Sequence, residues 1–92
     1  NIIGTVAVSE LESKSCELKS LYLLEQYQGM GYGKEMLIYA INQAKKYGYT
    51  KMFLDSLSTS TKAIALYRRV GFNNTEKYNS SVYSDVFMVL DL

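Results

Sequence analysis

Gly29, Gly31 and Gly33 alternate within Gln28-Gly-Met-Gly-Tyr-Gly33, and the hydrophobic period changes from one side of this segment to the other. Before it, Cys16 to Leu24 alternates as a strand, with Glu17, Lys19, Leu21 and Leu23 assigned to one face and Cys16, Leu18, Ser20 and Tyr22 to the other. After it, from Gly31 to Tyr47, apolar side chains recur at helical spacing, and Leu37, Ala40, Ile41 and Ala44 form one stripe. A strand that runs through bare glycine backbone into a long helix points several N–H groups outward at the positive end of the helix dipole. That is a seat for a phosphate or pyrophosphate. The competing reading is a tight turn with no ligand. Two familiar phosphate loops fail on spacing: a dinucleotide fingerprint needs Gly or Ala where Lys34 stands, and a Walker A loop needs Gly at Gln28 and Ser or Thr at Glu35.

The rest of the chain extends this α/β pattern. Asn1 to Glu10, with Ile2, Ile3, Val6 and Val8, reads as a first strand, and Glu12 to Ser15 as a turn that makes a hairpin with the second. Lys45, Lys46 and Gly48 form a helix stop. Lys51 to Asp55 reads as a short buried strand, and the hydroxyls of Leu57 to Thr61 as caps for a second helix that ends at Val70 before Gly71. Its stripe is Ala63, Ile64, Tyr67 and Val70. Tyr78 to Leu92 reads as one or two closing strands that include Val82, Tyr83 and Val86 to Leu90. The order is ββαβαβ(β). Ninety-two residues make one domain, and a first strand with no structure ahead of it is expected to be a truncation or part of a larger assembly.

Composition narrows the chemistry. Ten basic and nine acidic residues leave a formal charge of +1, too little field to hold a nucleic-acid backbone or an anionic membrane. No apolar run reaches the roughly 20 residues of a membrane helix. Histidine is absent, so triads that use it and an imidazole base are excluded, and acid–base work falls to Glu, Asp, Lys or Tyr. The single cysteine, Cys16, allows neither an internal disulfide nor a cysteine metal cluster, which fits a reducing cytoplasm. It lies in an apolar strand and reads as a small buried hydrophobe rather than a nucleophile. Nine tyrosines without surrounding basic residues read as core edges or partner surface, not as base-stacking platforms.

Gln28, Gly31 and Gly33 match the acyl-CoA signature of the GNAT superfamily of N-acetyltransferases, which is Gln or Arg, two residues, Gly, one residue, then Gly or Ala. Ala63-Ile-Ala-Leu-Tyr-Arg-Arg-Val-Gly-Phe72 is similar to a second motif of the family, and the strand Glu17 to Leu24 and the long helix stand before and between them in the family's order. The resemblance spans essentially all 92 residues. It implies a mixed sheet flanked by two helices and splayed between the second strand and Lys51 to Asp55, with the pantetheine arm of acetyl-CoA in the gap. Backbone of Leu21, Tyr22 and Leu23 would hold that arm. The amides of Gly29, Met30, Gly31, Tyr32, Gly33 and Lys34 would surround the pyrophosphate, and Lys34 would either add charge there or stay solvated.

Tyr67 occupies the tyrosine that in the family protonates the departing thiolate, against the alternative of a core tyrosine. Glu17 matches the position of the strand glutamate that some members use as base, whereas many relatives deprotonate through water; a surface or amine-binding role is the other reading of Glu17, and Asp55 a weaker substitute. Ser60 stands where many relatives place an asparagine on the cofactor arm, and Glu25 where a proline is frequent. Arg68 and Arg69 read as solvated. The resemblance thus implies acetyl-CoA as cosubstrate without a metal, and transfer to a small-molecule or peptide amine by direct attack. A non-catalytic acyl-CoA-binding module is the rival. Complete members carry elements ahead of the first strand that shape the acceptor pocket. This implies a longer domain, a minimal variant, or a wall supplied by another chain, which includes a homodimer.

Overall fold

The computed structural model describes residues 4–92. A hairpin of β1 (Gly4–Glu12) and β2 (Ser15–Leu23) leads through a single 3-10 turn, Glu25–Tyr27, into α1 (Tyr32–Lys46). β3 (Lys51–Ser56), α2 (Thr61–Val70), a two-residue β4 (Asn73–Asn74) and β5 (Val86–Asp91) follow. The strands form one sheet in the order β1-β2-β3-β5-β4. Only the β2–β3 pair is parallel, as its helical crossover requires, and the other pairs are antiparallel. The expected start of the first strand at Asn1, with Ile2 and Ile3, lies outside the described residues.

The predicted α1 stripe is the floor of the core. Leu37, Ala40, Ile41 and Ala44 are all buried, and they meet Cys16 and Leu18 of β2, Met52 and Leu54 of β3, Met88 of β5, Tyr67 and Phe72. The helix ends in a Schellman motif: the Gly48 amide donates to the Lys45 carbonyl at 3.0 Å and that of Tyr49 to the Ala44 carbonyl at 3.1 Å. That geometry needs the left-handed φ of +89° that Gly48 adopts. α2 ends the same way, with the Phe72 amide on the Tyr67 carbonyl at 2.9 Å, and this reversal drops Phe72 into the core.

Four expectations need correction. The faces of β2 do not alternate as a simple period of two. Ala7 pairs with Ser20 and Val8 with Leu18, so Lys19 is an extra, bulged residue and the phase reverses across it. Cys16 and Leu18 therefore share the core side with Leu21, while Glu17 is buried on the opposite face. Second, no side-chain hydroxyl caps α2. Ser60 is its N-cap residue but offers only its carbonyl, to the Ile64 amide at 3.0 Å. Third, the α2 stripe sits less deeply than that of α1: Tyr67 is buried, Ala63 and Val70 pack half-buried against the core, and Ile64 is half-buried. Fourth, Val82 and Tyr83 are not strand residues. They stand 82% and 84% exposed at the tip of the loop before β5, and the extra strand is instead Asn73–Asn74.

The β2–β3 junction positions the site. These strands pair only at Ser15–Lys51, Cys16–Met52 and Glu17–Phe53, yet β2 continues to Leu23 and β3 to Ser56. Beyond Glu17 the sheet opens, beginning at the Lys19 bulge, which increases local twist and turns β2 toward β1.

Candidate active site

Beside that opening lies a cleft of about 400 Å³ between the end of β2, the glycine loop and α2. Leu21, Tyr22 and Leu23 form one wall, and Gln28, Gly29, Gly31, Gly33 and Lys34 form the loop side. Gly31 is the N-cap of α1 at φ +84°, and Gly29 has φ +80°. These two left-handed residues coil the loop at the head of α1. None of the amides of residues 29 to 34 has a hydrogen-bond acceptor among the described residues, and the first N–H to be taken up is that of Glu35, on the Gly31 carbonyl at 3.1 Å. The loop itself is latched: Gln28 Nε2 donates to the Leu23 carbonyl at 3.1 Å, tying it to the end of β2. Six open donors at a helix N-terminus have the chemistry of an anion cradle.

The third side of the cleft was not anticipated. Lys62, Ala63, Leu66 and Arg69 of α2 face it, so with Lys34 three cations and no carboxylate line the space. Arg69 is exposed, as the sequence reading has it, and also belongs to this wall. The spacing 62, 66 and 69 is one helical face, offset from the core stripe by a fraction of a turn, and was the available signal. Gly33 lies close to the same helix, where a Cβ would meet Leu66 Cδ2 at an ordinary 3.7 Å. Of the remaining predicted residues, Met30 is 63% exposed, the Tyr32 ring packs edge-on against Tyr27 at 6.0 Å, and Ser60 does not line the cleft.

Glu17 lies at the apex of the opening, 7% exposed, in a network of its own. Its Oε1 accepts from Lys19 Nζ at 3.2 Å, and its Oε2 accepts from the Tyr78 hydroxyl at 2.6 Å and Asn79 Nδ2 at 3.2 Å. Asn79 Nδ2 also donates to Asp55 Oδ2 at 2.6 Å, so both candidate carboxylates meet on one amide. Burial, and then the hydrogen bond and negative charge of Glu17, push the Tyr78 phenol far above its usual range, so it stays protonated as a donor. Tyr78 and Asn79 come from the loop between β4 and β5, and nothing in local spacing joins them to Glu17, which is 61 residues from Tyr78.

Tyr67 is buried, with its ring edge-on to Phe72 at 5.8 Å, and burial raises its phenol pKa. No hydrogen bond among the described residues takes up its hydroxyl. Its α2 neighbours Ala63 and Leu66 face the cleft, while Tyr67 itself is not part of the lining. Cys16 is buried at the β2–β3 junction, its thiol on the Lys51 carbonyl at 3.5 Å, and burial raises its pKa.

Comparison with known proteins puts these features in a family context. The model of the acetyltransferase (GNAT) family matches residues 1–72, which include β2, the glycine loop, α1 and α2. The chain belongs to the GNAT acetyltransferase family. It is 34% identical over 92 residues to an uncharacterized N-acetyltransferase of Schizosaccharomyces pombe, covering 98% of this chain and 56% of that protein. It is 32% identical over 73 residues to the uncharacterized N-acetyltransferase YjgM of Escherichia coli, covering 79% and 44%. This GNAT chain thus spans about half the length of the curated relatives it matches. Among solved structures, a GNAT family acetyltransferase from Elizabethkingia anophelis with acetyl-CoA bound superposes with a TM-score of 0.87 at 22% identity, over 100% of this chain and 70% of that one. An IAA acetyltransferase from Bacillus cereus superposes at 0.88 with 23% identity, over 100% and 71%. These likenesses establish the GNAT fold. Among the described residues no helix is long and apolar enough to cross a membrane.

Proposed function

We propose that this GNAT chain carries out acetyl transfer from acetyl-CoA to a primary amine. The observation that carries the reading is the run of six unpaired amides from residue 29 to 34, at the N-terminus of α1 and flanked by Lys34, Lys62 and Arg69. Backbone donors and cations, with no carboxylate among the lining, fit a pyrophosphate. The cleft continues along Leu21, Tyr22 and Leu23, where β2 has left β3 and its edge is free to pair with an amide-bearing arm. The S. pombe and E. coli relatives are both described as N-acetyltransferases, which supports the same activity here.

When bound, acetyl-CoA supplies an activated thioester carbonyl. The chain's own groups do the rest. Glu17, desolvated at the head of the opening, takes a proton from the attacking amine. Tyr67, a phenol that is protonated at neutral pH and that burial pushes further up, gives its proton to the sulfur that leaves. Gln28 keeps the amide cradle in register with β2. Calorimetric titration with acetyl-CoA, followed by CoA-release assays over a panel of primary amines, tests the reading. Saturable binding and amine-dependent release are expected. A second reading draws on the position of Tyr67 outside the cleft lining: acyl-CoA binding without catalysis, for which binding with no release by any amine is the outcome.

A further inference from the structure

We infer that Tyr78 is a positioning residue that fixes the orientation of the Glu17 carboxylate; the inference rests on the reading of Glu17 as the base. The phenol ring is fixed from two strands. Phe53 of β3 packs against it at 4.9 Å and Phe87 of β5 meets it edge-on at 5.9 Å. Its hydroxyl is thereby aimed at Oε2 of Glu17 at 2.6 Å, a length characteristic of a hydroxyl on a carboxylate. The neighbouring Asn79 is held by its own loop, its Oδ1 accepting the Ser81 amide at 3.1 Å while its Nδ2 reaches both Glu17 and Asp55. The loop itself is closed at both ends, by the Thr75 amide donating to the Phe87 carbonyl at 2.8 Å and by the Asp85 carboxylate accepting from the Ser58 amide and hydroxyl, each at 2.7 Å.

The surroundings of Glu17 show why such a donor matters. Lys19 sits on the exposed bulge and is screened, so it holds Oε1 only loosely. Ser9 of β1, opposite Glu17, is uncharged, and Asp55, reached through the Asn79 amide, is itself an acceptor. The Tyr78 hydroxyl and the Asn79 amide are therefore the donors that fix Oε2, and Tyr78 makes the shorter bond. A hydrogen bond to a charged group is worth about a tenfold to hundredfold factor.

The test is a double-mutant cycle on amine-dependent CoA release. Tyr78→Phe, which keeps the ring between Phe53 and Phe87, is expected to lower kcat about tenfold or more while acetyl-CoA affinity stays within about twofold of wild type, and to add little further loss in the Glu17→Gln background. Asn79→Ala, which strips the longer bond, should lower kcat by less, and serves if the first variant does not fold. Wild-type kcat in a folded Tyr78→Phe protein, or a loss of equal size in the Glu17→Gln background, overturns the inference while Glu17 stands as base. If Glu17→Gln itself keeps the full rate, the base assignment is wrong and the inference falls with it.

Discussion

Gly31 and Gly48 provide a matched pair of perturbations. Both are left-handed, at φ +84° and +89°, and a Cβ built on either meets nothing within 4 Å. Changing either to alanine thus introduces no clash, only a backbone penalty of about 1–2 kcal/mol for an L residue in that region. The loss of unfolded-state freedom offsets about 0.4–1 kcal/mol of it. The net destabilisation is about 1 kcal/mol in each case, or roughly 4–8 °C in Tm for a domain of this size. The two differ in what the strained residue presents. Gly48 closes the far end of α1, whereas Gly31 sets the direction of the amides on either side of it. A loop that relaxes to relieve the strain of Gly31→Ala rotates at least one donor out of the cradle, and a hydrogen bond from an amide to a charged phosphate is worth about 1.5–3 kcal/mol. Gly31→Ala is therefore expected to weaken acetyl-CoA binding by tenfold or more, while Gly48→Ala leaves it within about twofold of wild type. Calorimetry and thermal melts on both proteins read these quantities. Equal losses of affinity, or wild-type binding by Gly31→Ala, would show that the amide cradle does not hold the cosubstrate.

Tyr67→Phe should leave acetyl-CoA affinity and melting nearly unchanged and lower amine-dependent CoA release by about 10²-fold or more; full turnover in a folded variant removes the acid role. Lys62→Ala and Arg69→Ala should each weaken acetyl-CoA binding about two- to fivefold at low ionic strength, with the difference fading at high salt. Unchanged low-salt affinity in the double variant contradicts a role for the α2 cations. The phenols of Tyr78 and Tyr67 are raised in the fold above the unfolded value of about 10, so the native state retains protons that the unfolded chain gives up. Their contribution is complete below about pH 10 and is lost as pH climbs toward the folded values. Melting temperature should therefore fall above about pH 10, and less steeply in Tyr78→Phe.

Much of this was legible because it is local. The α1 stripe, its basic last turn and Gly48 are neighbours in sequence, and the helix they specify begins and ends within a residue of expectation. The glycine loop was legible for the same reason. The β2 faces were not, because alternation is a phase signal and one bulged residue, Lys19, reverses it without any residue type that marks the event. Val82 and Tyr83 have strand propensity but are overruled by a loop pinned through Ser58 and Asp85, while Asn73–Asn74, poor strand formers, pair because Phe72 delivers them to the edge of β5. The contacts of Glu17 with Tyr78 and Asn79 join the second strand to the last loop, and sequence spacing carries no information at that separation.

The short weld between β2 and β3 has a mechanical consequence. Most sheets yield first at their rims, but this one also has a seam through its middle, bridged by backbone from Lys14, which accepts the Thr50 amide, to Glu17. A breathing motion that parts the seam separates the hairpin from the β3–β5 half and bares the Cys16 sulfur, which is fully hidden at the weld. The lone thiol is thus a built-in strain gauge. Its rate of capture by an alkylating reagent measures how often the two halves come apart, and a molecule that fills the fissure should slow it.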